Sequence, residues 1–534
     1  MSTEIADVIV VGSGASAVNA AFPLASAGRR VRMLDVGNRD ETYDRIVPEA
    51  SFSELRRSDP EQHRYLLGEH FEGIGWGHTG AGAQLTPPRQ FVTRDADRLQ
   101  PISSTSFFPL QSLAEGGLAG AWGAGSPAFS PPDFDGFPIG YDDLAPHYEA
   151  VAGRIGISGT RDDLWPFLGE LESLLPPVDS DDNGRTILAR YIANRQRAQR
   201  RGLYLGQPRL AMLSKPYRGR EATHYRDMDF WSDAGRSVYR PRWTVDELRS
   251  FETFEFVGRQ LVVAFEEREH EVVVTARHAD TGKTETHRAR HVILGAGTLG
   301  STRIALRSLA AFGRRVPIVC NPHTYLALLN LNQLGKDSLR DARHSLAQLC
   351  VVYAPEGSAR PFTVGHFYSY RSLLLFRLMK DSPLPFREGL QILRALSPSF
   401  GVLILQHADH PTPAKYCELR EDDRFVVEYA LSEGEQATND RIESNIVRAL
   451  RGLRCVRMMT MRPGHAASTH FAGTLPMSDR DEPLTTARDG RLRGTERVYV
   501  VDGSVFPSLP SKGLTFTMMA NADRVAAGLA RRLA

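Results

Sequence analysis

A short apolar run, Val8-Ile9-Val10-Val11, ends at Gly12-Ser13-Gly14-Ala15-Ser16-Ala17 and passes straight into a helical pattern. The spacing predicts a strand, a tight turn and a helix, joined so closely that only small residues fit. Gly12 permits the turn out of the strand, Gly14 lets the backbone approach a phosphate, and Ala17 lets the helix pack on the strand. The first helical residues, Ala15 and Ser16, present unpaired N–H groups and the positive end of the helix dipole, a site suited to an anion. A second strand is predicted at 31–36, and Asp35 near its end lies 21 residues after Gly14, where a carboxylate accepts ribose hydroxyls. The constellation points to a dinucleotide, and Asp35 favours an unphosphorylated ribose, hence FAD or NAD over NADP. Pro23, inside the predicted helix, is expected to kink it.

Two more strand–turn–helix units follow, at 291–309 and at 498–507 with a helical pattern over 515–533. Strands alternating with helices argue for a parallel sheet covered by helices. Because the units are far apart, the nucleotide domain is expected to be discontinuous, with the intervening pieces forming a second domain. Residues 254–267 and 271–278 alternate as a β-meander does, and the Pro- and Gly-rich stretches 72–88, 123–140 and 355–361 read as loops. The 534 residues allow two to four domains. A net charge of +2 argues against a nucleic-acid binder. No apolar run is long enough for a transmembrane helix, and the amino terminus lacks the basic and apolar segments of a signal peptide. The four cysteines, Cys320, Cys350, Cys417 and Cys455, form no Cys-x-x-Cys pair, so zinc knuckles and dithiol motifs are excluded. They read as reduced thiols of a cytoplasmic protein.

The glycine fingerprint does not separate FAD from NAD, but four further segments do so by resemblance. Glu115-Gly116-Gly117-Leu118-Ala119-Gly120-Ala121-Trp122-Gly123 resembles the Gly-Gly flavin-contact segment of the glucose–methanol–choline (GMC) oxidoreductases. Leu294-Gly295-Ala296-Gly297-Thr298 resembles that family's second nucleotide segment, His470-Phe471-Ala472-Gly473-Thr474 its H-x-x-G-T segment, and Val500-Val501-Asp502-Gly503-Ser504-Val505-Phe506-Pro507 its carboxy-terminal flavin segment. They occur in the family's order. The resemblance implies an α/β fold with a Rossmann-like FAD-binding domain (1–130, 248–318 and 456–534). It also implies a substrate-binding domain (131–247 and 319–455) on a mostly antiparallel sheet with helices. FAD contacts are then expected from Gly12, Gly14, Ala15, Ser16, Asp35, Gly117, Trp122, Val262, Ala296, Gly297, Asp502, Gly503 and Thr515. A helix starting near Thr515 would stabilise negative charge on a reduced flavin. Where some relatives tether flavin through a histidine, this chain has Ala121, so FAD is expected to be non-covalent.

The resemblance also implies oxidation of a small-molecule alcohol, with hydride leaving the carbinol carbon as a base takes the hydroxyl proton. His470 fits that base, because histidine titrates near neutral pH; His465, five residues earlier, is its competitor. The chain departs from the family at the second catalytic position, a histidine or asparagine in relatives, which falls on Gly513. Lys512 beside it offers a cation for an alkoxide, although a lysine there more often faces solvent. The glycine opens an alternative: a flavin-retaining lyase or cyclase doing no net redox chemistry. On the substrate side, 367–405 is rich in Leu, Phe and Arg, with arginines at 371, 377, 387 and 394. It reads as two amphipathic helices split by Pro383 and Pro385, or else as a lipophilic lid or membrane-surface pair. Trp76, Phe107, Phe108 and Trp122 are candidate pocket aromatics.

Overall fold

The computed structural model describes residues 5–73, 84–336, 343–355, 362–369 and 383–533. The expected parallel sheet is present. Its parallel strands run in the order Phe254–Val257, Val31–Leu34, Ala6–Val11, Thr284–Leu294 and Val498–Val500. Val10 lies opposite both Met33 and Ile293, and Ile293 opposite Tyr499. The unbroken apolar run at 8–11 now has its reason, since the strand is buried on both faces. Val8 and Val10 share a core with Ala17, Val18, Ala21, Val525 and Ala526, while Ile9 and Val11 belong to the core on the opposite face. Helix Ala15–Ser26 packs against helix Thr515–Arg532 on the first of these faces.

One local expectation changes. Residues 254–257 are not part of the meander: they pair in parallel with Val31–Leu34 at the edge of the nucleotide sheet. The meander consists of Gln260–Glu267, Val272–His278 and Thr284–Leu294, and the last of these continues into the parallel sheet. The first helix continues past Pro23 to Ser26, the proline removing only the bond that an N–H there would have donated to the Asn19 carbonyl.

A second sheet has six antiparallel strands in the order Cys455–Met461, His323–Asn330, Phe400–Gln406, Thr363–Ser369, Leu349–Tyr353 and Leu203–Gly206. Side chains alternate across it. Leu326, Leu328, Leu403 and Leu405 point to a core with Ile187 and Tyr191 of helix Asp182–Ala193 and with Ile446 and Leu450 of helix Glu433–Arg451. On the other face, Tyr325, Val402, Ile404 and Gln406 line a cavity. Of the arginine-rich segment, one helix, Phe386–Leu396, follows Pro385; Arg371, Arg377 and Trp76 lie outside the described residues. No described helix is long and apolar enough to cross a membrane. All four cysteines are buried and unpaired.

Candidate active site

One cavity of about 820 Å³ brings the predicted residues together. Its wall includes Gly12, Gly14, Ala15, Ser16, Asp35, Gly117, Trp122, Val262, Ala296, Gly297, Asp502, Thr515, His470 and Gly513. Gly12 has φ +93°, and a Cβ there would lie 2.5 Å from the Gly295 carbonyl oxygen, so no other residue fits the turn. Gly14 and Gly117 face each other: a Cβ on Gly117 would lie 3.1 Å from the Gly14 Cα. Gly14 caps the first helix without a side-chain hydrogen bond, which leaves the first N–H groups to a ligand. Ala17 performs its expected role against Gly295, where a Cβ would lie only 2.9 Å from the alanine's own.

Ser13, passed over in the sequence, ties the cradle together. Its hydroxyl donates to Asp35 Oδ2 at 2.5 Å and accepts the Gly116 N–H at 3.0 Å. The Gly37 N–H donates to the other oxygen of Asp35. Burial still pushes the Asp35 carboxyl up to about 6, an environment that extra hydroxyl donors such as ribose would relieve. Asp502 is an internal brace. It accepts bonds from the Ser301 hydroxyl and from the Ser504 N–H and hydroxyl, and the Ser301 oxygen accepts the Ala296 N–H. Gly503 is corrected: it does not line the cavity, and its place is set by packing, since a Cβ would lie 2.8 Å from Thr298 Oγ1. The Trp122 indole lines the wall while its N–H donates to the Tyr239 carbonyl. Phe107 is a core residue and Phe108 is exposed, so neither is a pocket aromatic.

The His470 backbone is held on both sides. Its carbonyl accepts the Asn321 N–H at 3.0 Å, and its own N–H donates to Ser468 Oγ at 3.2 Å. The imidazole Nδ1 is buried without a partner, while Nε2 is not sealed off. Burial, reinforced by His366, pushes the ring down to about 4, so it is neutral at neutral pH. Gly513 stands beside it: a Cβ there would lie 3.6 Å from His470 Cε1 and 3.9 Å from Nε2. Just past Gly513, helix Thr515–Arg532 starts without a side-chain cap, and Leu514, Thr515 and Met518 line the cavity.

Residues 427–522 match the family model of the GMC oxidoreductases. The chain resembles the GMC oxidoreductases in this carboxy-terminal segment and in its fold. Among solved structures, pyridoxine 4-oxidase from Mesorbium loti is similar at 14% identity with TM-score 0.57, covering 98% of this chain and 99% of its own. A fungal aryl-alcohol oxidase is similar at 14% identity with TM-score 0.55, covering all of both chains. No curated protein sequence matches this chain. GMC oxidoreductases are FAD-dependent, and the residues present fit that group: a glycine cradle kept clear of side chains, an open helix N-terminus and a buried carboxylate near hydroxyl reach.

Against the GMC pattern, Lys512 is corrected on both counts. It neither faces solvent nor lines the cavity. Its ammonium is fully buried and bonded to Asp133, Ser130 Oγ and the Ala128 carbonyl. The chain bends at Ser511 and Lys512 just before the helix, so Gly513 lines the cavity while the Lys512 side chain turns away from it. Lys512→Met strands the Asp133 carboxylate and is expected to cost about 3–5 kcal/mol of stability. Urea unfolding measures this; an unchanged midpoint would show the pair to be dispensable. His465 likewise lies elsewhere, its ring packed at a tilt against Tyr429 at 4.6 Å beside a separate surface depression.

Sequence reasoning missed the far wall, which the antiparallel sheet supplies. His323, Tyr325, His366, Tyr368, Val402, Ile404, Gln406, Met459 and Met461 all line the cavity. Pairing aligns them: His323 is opposite Gln406, and Tyr325 is opposite both Ile404 and Met461, with His366 on the far side of Ile404. Burial lowers the pKa of His366 to about 4 and that of His323 well below its usual value. These folded values lie below the unfolded value of about 6.5, so the unfolded chain binds more protons as pH falls. The stability is intact above about 6.5 and is lost toward about 4. Asp35, raised rather than lowered, acts in the opposite sense over the same range. The stability lost between pH 7.5 and 5 should therefore be about 2 kcal/mol smaller in His366→Phe than in the parent. Urea titrations at both pH values test this, and equal losses would contradict it.

Proposed function

We propose that this protein is an FAD-dependent alcohol oxidoreductase in which His470 takes the hydroxyl proton of a CH–OH substrate. One observation carries the reading. A buried, neutral imidazole, open at Nε2, shares a cavity with a glycine cradle and an uncapped helix N-terminus. When bound, FAD accepts the hydride that leaves the carbinol carbon. The chain's own share is to hold the cofactor on Gly12, Gly14, Asp35, Gly117 and the turn braced by Asp502, and to accept the proton at His470. A base already neutral is ready without prior deprotonation. Ala121 offers no nucleophile, so the cofactor is held without a covalent bond. The cofactor domain comprises 1–130, 248–318 and 456–534, and the substrate domain the remainder. Strand Cys455–Met461 of the second sheet lies across that last boundary.

The substrate's body is uncharged and apolar. Tyr325, Tyr368, Val402, Ile404, Met459 and Met461 line its side of the cavity. The one cation there among the described residues, Arg462, is bonded to Asp440 and Glu443. Gly513 favours a second reading, a flavin-retaining lyase or cyclase, because it offers no side chain at the family's second catalytic position. The visible spectrum of the protein under anaerobic conditions, before and after benzyl alcohol, 1-hexanol and secondary alcohols, separates the two. Bleaching of a flavin band by one alcohol class is the expected result. A band that only dithionite bleaches would favour the second reading, and no band at all would remove both.

A further inference from the structure

The cavity holds a polar group that no step above uses. His366 lies on strand Thr363–Ser369, only 7% exposed, in the same cavity wall as His470. Among the described residues it has no hydrogen-bond partner, although a buried imidazole ordinarily has one. Its ring nitrogens are not sealed in the wall, unlike both nitrogens of His323, which are buried away from solvent. His366 is therefore the histidine of the sheet that can reach a ligand. Its strand also stands next to the flavin-contact segment, since the Tyr368 hydroxyl lies 3.7 Å from where a Cβ on Gly123 would be. Ser345, Tyr325, Gln406 and His323 share this wall.

Gly513 supplies the other half of the argument. A Cβ there would meet only His470 and the Gly125 carbonyl, all at 3.6–4.0 Å, which is ordinary contact, and its φ is not in the left-handed region. Neither conformation nor crowding demands glycine. The space beside His470 is left open, and His366 of the antiparallel sheet lines the same cavity, near enough to act on the His470 ring electrostatically.

Building on the alcohol-oxidation reading above, we propose that His366 is a catalytic residue that donates an N–H hydrogen bond to the substrate oxygen, taking over the work of the side chain missing at Gly513. His470 removes the hydroxyl proton. The C–H bond breaks as the hydride leaves for the oxidised flavin, the C=O bond forms, and His366 holds the oxygen without itself changing protonation. A neutral imidazole carries one N–H for this purpose, and an uncharged donor suits the apolar pocket.

The test compares the parent with His366→Phe, His366→Gln and the double variant His366→Phe/Gly513→Asn, each checked for fold by circular dichroism. Two readouts are taken: flavin reduction by benzyl alcohol and 1-hexanol, and the affinity of benzaldehyde and hexanal for the oxidised holoenzyme from the flavin spectrum. Losing one such donor typically costs about 10²–10³-fold in rate. His366→Phe should show that loss and weaker aldehyde binding, His366→Gln should retain more of both, and Gly513→Asn should restore at least roughly tenfold of the rate. If alcohol reduces the parent and His366→Phe alike, the proposal is overturned while the alcohol-oxidation reading stands. If no alcohol reduces the parent, that reading falls, and equal aldehyde affinity in parent and His366→Phe overturns the role of His366 as well.

Discussion

Replacing His470 by alanine should slow flavin reduction by alcohol about 10²–10⁴-fold, the range expected for loss of a general base. That range corresponds to about 3–5 kcal/mol of transition-state stabilisation. Bound FAD should be nearly unchanged, because the bonds that hold this segment are made by the backbone, with Asn321 and with Ser468 Oγ. Rapid mixing under anaerobic conditions gives the rate, and absorbance after gel filtration gives the cofactor content. The pH profile adds a second check. A base works in its neutral form, and burial holds His470 neutral down to about 4. The parent's reduction rate should therefore stay level from pH 8 to about 5 and fall below that. A descending limb centred between 6 and 7 would mean that the working base is a solvated group, and an alanine variant with the parent rate would remove His470 from the chemistry.

What the sequence disclosed and what it withheld divide along sequence distance. The cradle was legible because its parts are local: the buried run at 8–11, the glycines that follow, and an acid at the end of the next strand. The packing of Ala17 was also foreseen, but not its partner, Gly295, which lies far along the chain. Residues 254–257 were misread for the same reason, since their strand partner is Val31–Leu34 and nothing nearby reveals parallel pairing. The substrate wall was the least legible. The pairs His323 and Tyr325, His366 and Tyr368, and Met459 and Met461 each show a period of two. Which face turns inward, however, depends on antiparallel registers that join four separate segments. Lys512 illustrates the hazard of adjacency. It neighbours Gly513, yet the chain bends there and turns its side chain to Asp133, a partner far away in sequence that the motif does not reveal.

Two glycines of the fingerprint should fail in different ways when substituted, which separates fold from cofactor. Gly14→Val is expected to fold and to lose its FAD. At φ −66° and ψ −178° the backbone suits valine, and a Cβ meets nothing nearer than the Gly117 Cα at 4.0 Å. The branched methyls then occupy the gap between Gly14 and Gly117, where the helix N–H groups are exposed for phosphate. Copurified FAD should fall to roughly a tenth of the parent's or less. Gly12→Ala should instead lose stability, because φ +93° disfavours any side chain and its Cβ would drive into the Gly295 carbonyl at 2.5 Å. Strand Ala6–Val11 pairs with Thr284–Leu294 immediately before that contact, so the strain falls on the centre of the parallel sheet. Cofactor content and urea midpoint, measured on both variants, give the decisive contrast: a colourless but stable Gly14→Val beside an unstable Gly12→Ala. If Gly14→Val retains stoichiometric FAD, the pyrophosphate does not lie on this turn, and the helix at Thr515 becomes the next anion site to test.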